Sequence, residues 1–483
     1  MTDFDNLFIG GHWTAPATDA RLEVFSPATE EKVGSTPVAA PADVDAAVAA
    51  ARRAFEEGPW PQTTPAERGA ILAKVATLIE QRSAELTTTL TSEMGAPAMA
   101  VNMMQQTPAL AVLNYYAGLA DSFPWSEVRH GVFGQSTVRR EPVGVVAAII
   151  AWNVPLFLAV NKLAPALLAG CTVVLKPAPE TPLATNILAD IFTDAGLPEG
   201  VLSVLPGGTE TGEYLVEHPG IDKITFTGST AVGRKIGAVA AQQLKRCSLE
   251  LGGKSAAILL ADMDVPATMP MLLFSGLMNS GQACVAQSRI LAPRSRYDEI
   301  LDAMVTFAGF MPVGDPTDPA NQLGPLISAK QRERVEGYIA SGKEQGARIV
   351  LGGGRPAGLE KGWFVESTIF ADVDNSMRIA REEIFGPVLS VIPYDSEDEA
   401  IKIANDSAYG LAGSVWTTDI EHGLDVASRV RTGTYAINWY AFDPGSPFGG
   451  YKASGIGRES GPEGLDAYCE QKSILMPPGY SSN

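Results

Sequence analysis

Paired cysteine spacings, basic runs and the usual dinucleotide glycine signature are all missing from this chain of 483 residues. Cysteine occurs only at Cys171, Cys247, Cys284 and Cys469, and histidine only at His12, His130, His218 and His422. No CxxC or His/Cys spacing links them, which argues against a metal site and a disulfide framework. Lys plus Arg number 36 against 55 for Asp plus Glu, a net charge of −19, and no basic stripe offers itself to phosphates. Nucleic acid is therefore not an expected partner. The opening MTDFDNLFIGGHW has neither the cationic start nor the apolar segment of a secretory signal, so a cytoplasmic protein with reduced thiols is expected. Only Pro142–Asn161 is uncharged over a length that spans a bilayer. Asn153 and Pro155 interrupt it and β-branched residues crowd its first half, so a buried strand, a turn and a helix are expected there, not a membrane span.

What is present is a chain that is 46% hydrophobic, enough for two to four domains. Val44, Ala47, Val48, Ala51 and Phe55 recur at helical spacing until Gly58-Pro59. A second helix starts at TPAERGAIL, with Thr64 as cap, Pro65 at the first helical position and Glu67 completing a capping box. From about Val143, short apolar runs alternate with helical patterns: VGVVAAIIA, CTVVLK, VLSVLPG and DKITFTG, with helices through Leu168, from Thr181, near Glu213 and from Ser229. Such alternation predicts a parallel sheet covered by helices, with ligands at the carboxyl ends of its strands. A second α/β stretch runs from about Ala256 to Ile437. VRHGVFGQSTVRREPVG and CEQKSILMPPG read as exposed strands outside both units, and edges left unpaired predict a homodimer or homotetramer.

Without GxGxxG after the first parallel strand, a phosphate site has to be sought elsewhere. FTGSTAVGRKIG places Gly228 and Gly233 around Ser229 at a helix start, where free N–H groups can meet a pyrophosphate or where glycine serves geometry alone. Glu250 in LELGGKSA is either a solvated acid or a catalytic one. In SGQACVAQSR the small polar neighbours of Cys284 argue against simple packing and leave a nucleophile open. Asn153, beside Trp152 and Pro155, is equally consistent with turn formation.

Taken in order, AWNVP, KPAPETP, GLPEGVLSVLPG, FTGST, ELGGK, GQACVAQSR, EEIFGPV and SPFGGYKASGIGRE resemble the aldehyde dehydrogenase superfamily over nearly the whole chain. The resemblance implies an α/β fold with a Rossmann-like parallel-sheet NAD(P)-binding domain (1–121 and 143–252) and a second α/β catalytic domain (253–454). Small β oligomerisation strands (122–142 and 468–483) and a connecting segment (455–467) complete it. The implied activity is oxidation of an aldehyde to the carboxylic acid with reduction of NAD(P)+, through a thiohemiacetal and a thioester on Cys284 that water hydrolyses. Cys284 is the implied nucleophile, Asn153 and the Cys284 N–H the oxyanion donors, and Glu250 the base for thiol and water. Lys162 and Glu459 match positions that pass protons in the family, or form a plain ion pair.

The same resemblance assigns the cofactor to Ile149, Ile150, Ala151, Trp152, Asn153, Lys176, Pro179, Glu180, Gly208, Gly212, Phe226, Gly228, Ser229, Val232, Glu250, Leu251, Gly252, Cys284, Gln331, Glu383 and Phe385. Many NAD-preferring relatives carry an acid three residues after the lysine; here Pro179 stands there and Glu180 follows, so NAD is expected with NADP left open. Val154, Leu158, Asn161, Met278, Ala283, Val285, Tyr440, Phe442 and Phe448 are the implied substrate wall, which suits an apolar aldehyde more than an anionic one. A CoA-acylating dehydrogenase, a Cys-His thiol hydrolase and a non-enzymatic protein that kept the fold remain alternatives. Glu250, the lack of a histidine in motif context, and the intact Cys284, Glu250 and Asn153 weigh against them in turn.

Overall fold

A computed structural model describes residues 1–477 and residue 480. The two largest sheets have eight and seven strands. In the first, five parallel strands, Arg246–Glu250, Lys223–Thr227, Val145–Ile149, Thr172–Lys176 and Leu202–Val204, lie side by side in that order. Antiparallel Leu7–Ile9 and His12–Thr14 extend one edge, and Gly455–Ile456 pairs antiparallel with Arg246–Glu250 at the other. The segment 455–467, expected only to connect, thus supplies the eighth strand. Val145–Ile149 and Thr172–Lys176 are fully buried, which is why they read as continuous apolar runs without alternation.

The chain winds from Val145–Ile149 toward Leu202–Val204, then returns to the other side with Lys223–Thr227. That reversal opens a crevice at the carboxyl ends of Val145–Ile149 and Lys223–Thr227. The helices follow local chemistry. In Pro65–Gln81 the Thr64 hydroxyl accepts from Glu67 N–H at 3.2 Å and the Glu67 carboxylate accepts from Thr64 N–H at 2.7 Å. The helix expected from Thr181 begins at Leu183, because Pro182 is its N-cap.

The second sheet runs Arg348–Leu351, Thr368–Ala371, Val388–Tyr394, Arg289–Pro293, Ala256–Leu259, Gly413–Trp416 and Ala436–Ile437, parallel except for its first pair. The two segments expected as exposed strands pair with each other. Ser126–Gly131 and Gly134–Pro142 form a hairpin, and Cys469–Leu475 lies antiparallel on its second arm from Pro142 to Ser136. Among the described residues no further strand pairs with the outer edges of this three-stranded sheet. Residues 478, 479 and 481–483 of the expected oligomerisation segment fall outside the described residues. Among the described residues no helix is long and apolar enough to cross a membrane, and none of their His, Cys, Asp and Glu side chains form a group of three able to hold a metal ion.

Candidate active site

Gly252 and Gly253 lead from the first sheet to the second, and their surroundings show how tightly the two units meet. A Cβ on Gly253 would lie 2.2 Å from the Cys284 carbonyl oxygen, and one on Gly252 would lie 2.4 Å from Glu383 Oε2. No side chain fits at Gly253, where the obstacle is backbone, and one at Gly252 would displace the Glu383 carboxylate. The segment that follows the carboxyl end of Arg246–Glu250 and precedes Ala256–Leu259 therefore runs directly against the loop that carries Cys284.

The loop carrying Cys284 is backbone-strained and heavily tied. Asn279, Ser280 and Gly281 are consecutive left-handed residues with φ of 51°, 55° and 71°. Ser280 Oγ donates to Gly324 O at 2.8 Å, Gln282 Oε1 accepts from Ile327 N–H at 3.0 Å, and Gln282 Nε2 donates to Asn279 O at 3.1 Å. Beyond the loop Arg289 is buried and donates to the carbonyls of Lys254, Ile403 and Ala404 and to Asn375 Oδ1, so it anchors structure. Cys284 itself stays partly exposed.

Asn153 follows the first parallel strand, where Pro155 opens the helix Pro155–Ala169. Its Nδ2 donates to Gln282 O at 3.1 Å, and its carbonyl accepts from Asn279 Nδ2 at 2.8 Å. The amide is thereby fixed to the backbone two residues before Cys284, with no titration of its own.

Glu250 ends the edge-adjacent strand and is 4% exposed, yet neither carboxyl oxygen has a hydrogen-bond partner among the described residues. Burial raises its pKa well above 4.5, the Glu459 charge adds to this, and Lys162 and Arg458 oppose it. Burial, then Glu383 and Glu250, push the Cys284 thiol up to about 12, while the N–H groups of Val285 and Cys284 favour the thiolate. A resting neutral thiol thus sits within electrostatic reach of a carboxyl whose pKa burial holds well above the ordinary carboxylate range.

Behind Glu250 lies a buried polar network. Lys162 forms an ion pair with Glu459 and reaches Thr225 Oγ1 at 3.3 Å. Asn161, expected on the channel wall, is only 1% exposed and points into this network: Nδ2 donates to Glu459 Oε2 at 2.9 Å and Oδ1 accepts from Ser460 Oγ at 3.1 Å. Helical register explains the difference, since the turn holding Asn161 and Lys162 is enclosed on every side.

On the other side of the crevice, Ser229 caps the helix Thr230–Gln242 and stays exposed with Val232. Phe226 and Gly228 are in close contact, Leu251 packs on Gly233, and Ile150 N–H donates to Lys176 O at 3.1 Å. Ile149, Ile150, Ala151 and Trp152 continue along the strand end. Lys176 Nζ donates to Pro177 O at 2.7 Å and Gly207 O at 2.6 Å, and burial lowers its pKa to about 8 against the opposing charge of Glu180. Pro179 and Glu180 are partly exposed beside it; a Cβ on Gly212 would come 3.2 Å from Lys176 Cε, whereas Gly208 is open. Glu383 Oε1 accepts from Gly253 N–H at 2.9 Å, and burial raises this acid to about 6. Gln331 Nε2 donates to Phe385 O at 2.7 Å, holding a loop in which Phe385 is left-handed and meets Trp152 edge-on at 5.2 Å.

Of the expected wall residues, Met278, Ala283 and Tyr440 pack in one apolar cluster, joined by Val285. Phe442 stacks edge-on with Phe157 at 4.8 Å and with Phe448 at 6.3 Å, while Val154 and Leu158 begin the same helix as Phe157. Phe157 and Met104, which touches the Met278 cluster, were not anticipated. A helical wheel begun at Asn153 finds Phe157 one turn on; Met104 lies in a π-helical turn, Asn102–Gln106, with no sequence signal.

The described model for the aldehyde dehydrogenase family matches residues 13–474. The geranial dehydrogenase of Castellaniella defragrans is 47% identical over 98% of this chain and 99% of its own. A Mycobacterium tuberculosis aldehyde dehydrogenase complexed with NAD+ superposes with a TM-score of 0.99 at 62% identity, covering both chains completely. AldC of Pseudomonas syringae, a cysteine-to-alanine mutant with NAD+ and octanal, gives 0.94 at 42% identity over 97% of this chain and 96% of its own. With this architecture and these matches across nearly its full length, the chain belongs to the aldehyde dehydrogenase family.

Proposed function

We propose that this enzyme oxidises apolar aldehydes to carboxylic acids, with Cys284 as nucleophile, Glu250 as general base and NAD+ as cofactor. The observation that carries the reading is the unpartnered, buried Glu250 carboxyl within electrostatic reach of a partly exposed Cys284 on a rigid loop. Cys284 Sγ adds to the carbonyl carbon as its proton leaves toward Glu250. Asn153 Nδ2 and the Cys284 N–H meet the oxyanion, each such donor contributing about 100-fold to 1000-fold. The dinucleotide, when bound, supplies the hydride acceptor. Glu250 then takes a proton from the water that cleaves the Cys284 thioester.

The residues present fit a dinucleotide. The Gly252 side of Glu383 would be filled by any Cβ, one Lys176 donor remains after its two carbonyl contacts, and the helix start at Ser229 is open. Lys176, Glu180, Ser229, Val232 and Gly228 would hold the adenosine and phosphate side; Glu383, Gln331, Phe385 and Trp152 would hold the nicotinamide side. Glu180 interacts electrostatically with Lys176, which supports exclusion of an added phosphate and a preference for NAD+ over NADP+.

Apolar groups around Phe157, Phe442, Phe448 and Tyr440 support an aliphatic or aromatic substrate, in keeping with octanal and geranial among the relatives. The free edges of the sheet around Cys469–Leu475, with Val132 and Phe133 each 94% exposed at the hairpin tip, support assembly with further copies. Mixing the protein with NAD+ or NADP+ and an aldehyde panel, with and without CoA, tests the reading through reduced cofactor and acid product. Turnover without CoA, faster with NAD+ and with octanal than with a dicarboxylic semialdehyde, is expected. A strict CoA requirement would replace hydrolysis by acyl transfer.

The pH dependence follows from the charges around Glu250. The base works deprotonated, so turnover falls as pH drops through its raised pKa, above the ordinary carboxylate range. Glu459→Gln removes a charge that raises it and should move the acid limb of kcat to lower pH. Lys162→Met removes a charge that lowers it and should move the limb to higher pH. Limbs that coincide in all three proteins would separate Glu250 from hydrolysis.

A further inference from the structure

We propose that Asn161 is a positioning residue that fixes the Glu459 carboxylate beside the base, and is no part of the substrate wall. The inference rests on the assignment of Glu250 as general base. Both ends of the Asn161 amide are engaged, by Glu459 Oε2 at 2.9 Å and by Ser460 Oγ at 3.1 Å, and all three side chains are at least 96% buried. Glu459 Oε1 faces Lys162 and Thr225, so the amide is the donor that settles the second oxygen. Without it the carboxylate is held from one side only and can rotate.

Backbone geometry ties this carboxylate to Glu250. Glu459 and Phe448 exchange both backbone hydrogen bonds at 2.7 Å in an isolated antiparallel bridge. Gly449 is next along, and a Cβ there would lie 2.7 Å from Glu250 Oε1 and 3.0 Å from Arg458 Cδ. On the far side, Gly455 pairs with Glu250. Ser460, with φ 59° and ψ 171°, occupies backbone space that is essentially reserved for glycine. In this conformation it presents its hydroxyl to Asn161. A serine strained in this way and bonded to an amide that in turn grips a carboxylate is a built support for that carboxylate.

The charged and titratable groups facing this cluster are Lys162, Arg458 and Cys284 around Glu250, and Lys162, Lys223, Tyr116 and Tyr468 around Glu459. Asn161 holds the Glu459 carboxylate in one orientation beside the base, and the Glu459 charge disfavours the charged form of Glu250. Removing the donor therefore weakens the repulsion, as Glu459→Gln does, by a smaller amount.

The test uses Asn161→Leu, which keeps the volume and lacks the donor, with Ser460→Ala as a second variant if the first does not fold. Three readouts are compared with wild type: the burst of reduced cofactor with octanal, KM for a short and a long aldehyde, and the pH profile of deacylation after acylation by p-nitrophenyl acetate. Expected are an intact burst, KM values within about twofold, deacylation about tenfold slower, and an acid limb displaced to lower pH in the direction of Glu459→Gln. Altered KM and chain-length selectivity with an unmoved pH profile would place Asn161 on the substrate wall and overturn the proposal. A lowered Tm with normal deacylation and an unmoved profile would overturn it too, as simple structural support. Lack of any burst in the wild-type protein would instead count against the catalytic reading on which the inference rests.

Discussion

Cys284→Ala is expected to abolish aldehyde oxidation, with steady-state turnover falling by about four to six orders of magnitude, to background. The cause is chemical: without the sulfur no covalent adduct forms, and hydride has no tetrahedral donor to leave. The fold should hold, because the loop is tied by Ser280 and Gln282 and not by the thiol. Calorimetry should show nearly the same Tm, while intact mass after incubation with p-nitrophenyl acetate should show an acyl adduct on wild type and none on the variant. Cys171, Cys247 and Cys469 give the comparison its edge, since burial pushes all three thiols upward as well. Retained oxidation in the variant would remove Cys284 from the chemistry.

Glu250→Gln carries the second large effect and separates the two halves of the cycle. A general base contributes about 100-fold to 10,000-fold, so hydrolysis of the acyl-enzyme should slow on that scale. If another acceptor can take the thiol proton during acylation, one equivalent of reduced cofactor per site still appears, followed by a very slow steady state. The substitution is near-isosteric, and burial already drives this carboxyl toward its neutral form, so the cleft should keep its shape. Rapid quench followed by mass measurement should find thioester accumulating on Cys284. Equal steady-state rates for variant and wild type would transfer the base role to another group.

Much of this architecture was written in local patterns. The capping box at Thr64 and Glu67 and the buried runs at Val145–Ile149 and Thr172–Lys176 each carry a signal that needs no tertiary context. The pairing of Cys469–Leu475 with Gly134–Pro142 did not, because partner choice between polar, alternating strands depends on contacts more than 300 residues apart in sequence. Motif order brought Cys284, Glu250 and Asn153 forward as candidates, whereas the direction of a helical side chain decided where Asn161 points. Two neighbours on that helix, Asn161 and Lys162, are both buried and polar, and only packing shows which atoms they meet. Phe157 was legible in principle from the helical period, and Met104 was not, since a π-turn shifts the register.

The antiparallel strand at Gly455–Ile456 has a consequence for biosynthesis. A ribosome emits residues 246–250 roughly two hundred positions before the partner that borders them, so the edge holding Glu250 stays open while that intervening stretch is made. The nascent chain can therefore condense much of its first sheet early, while the charged cluster of Glu250, Glu459 and Lys162 comes together only once residues 455–459 have emerged.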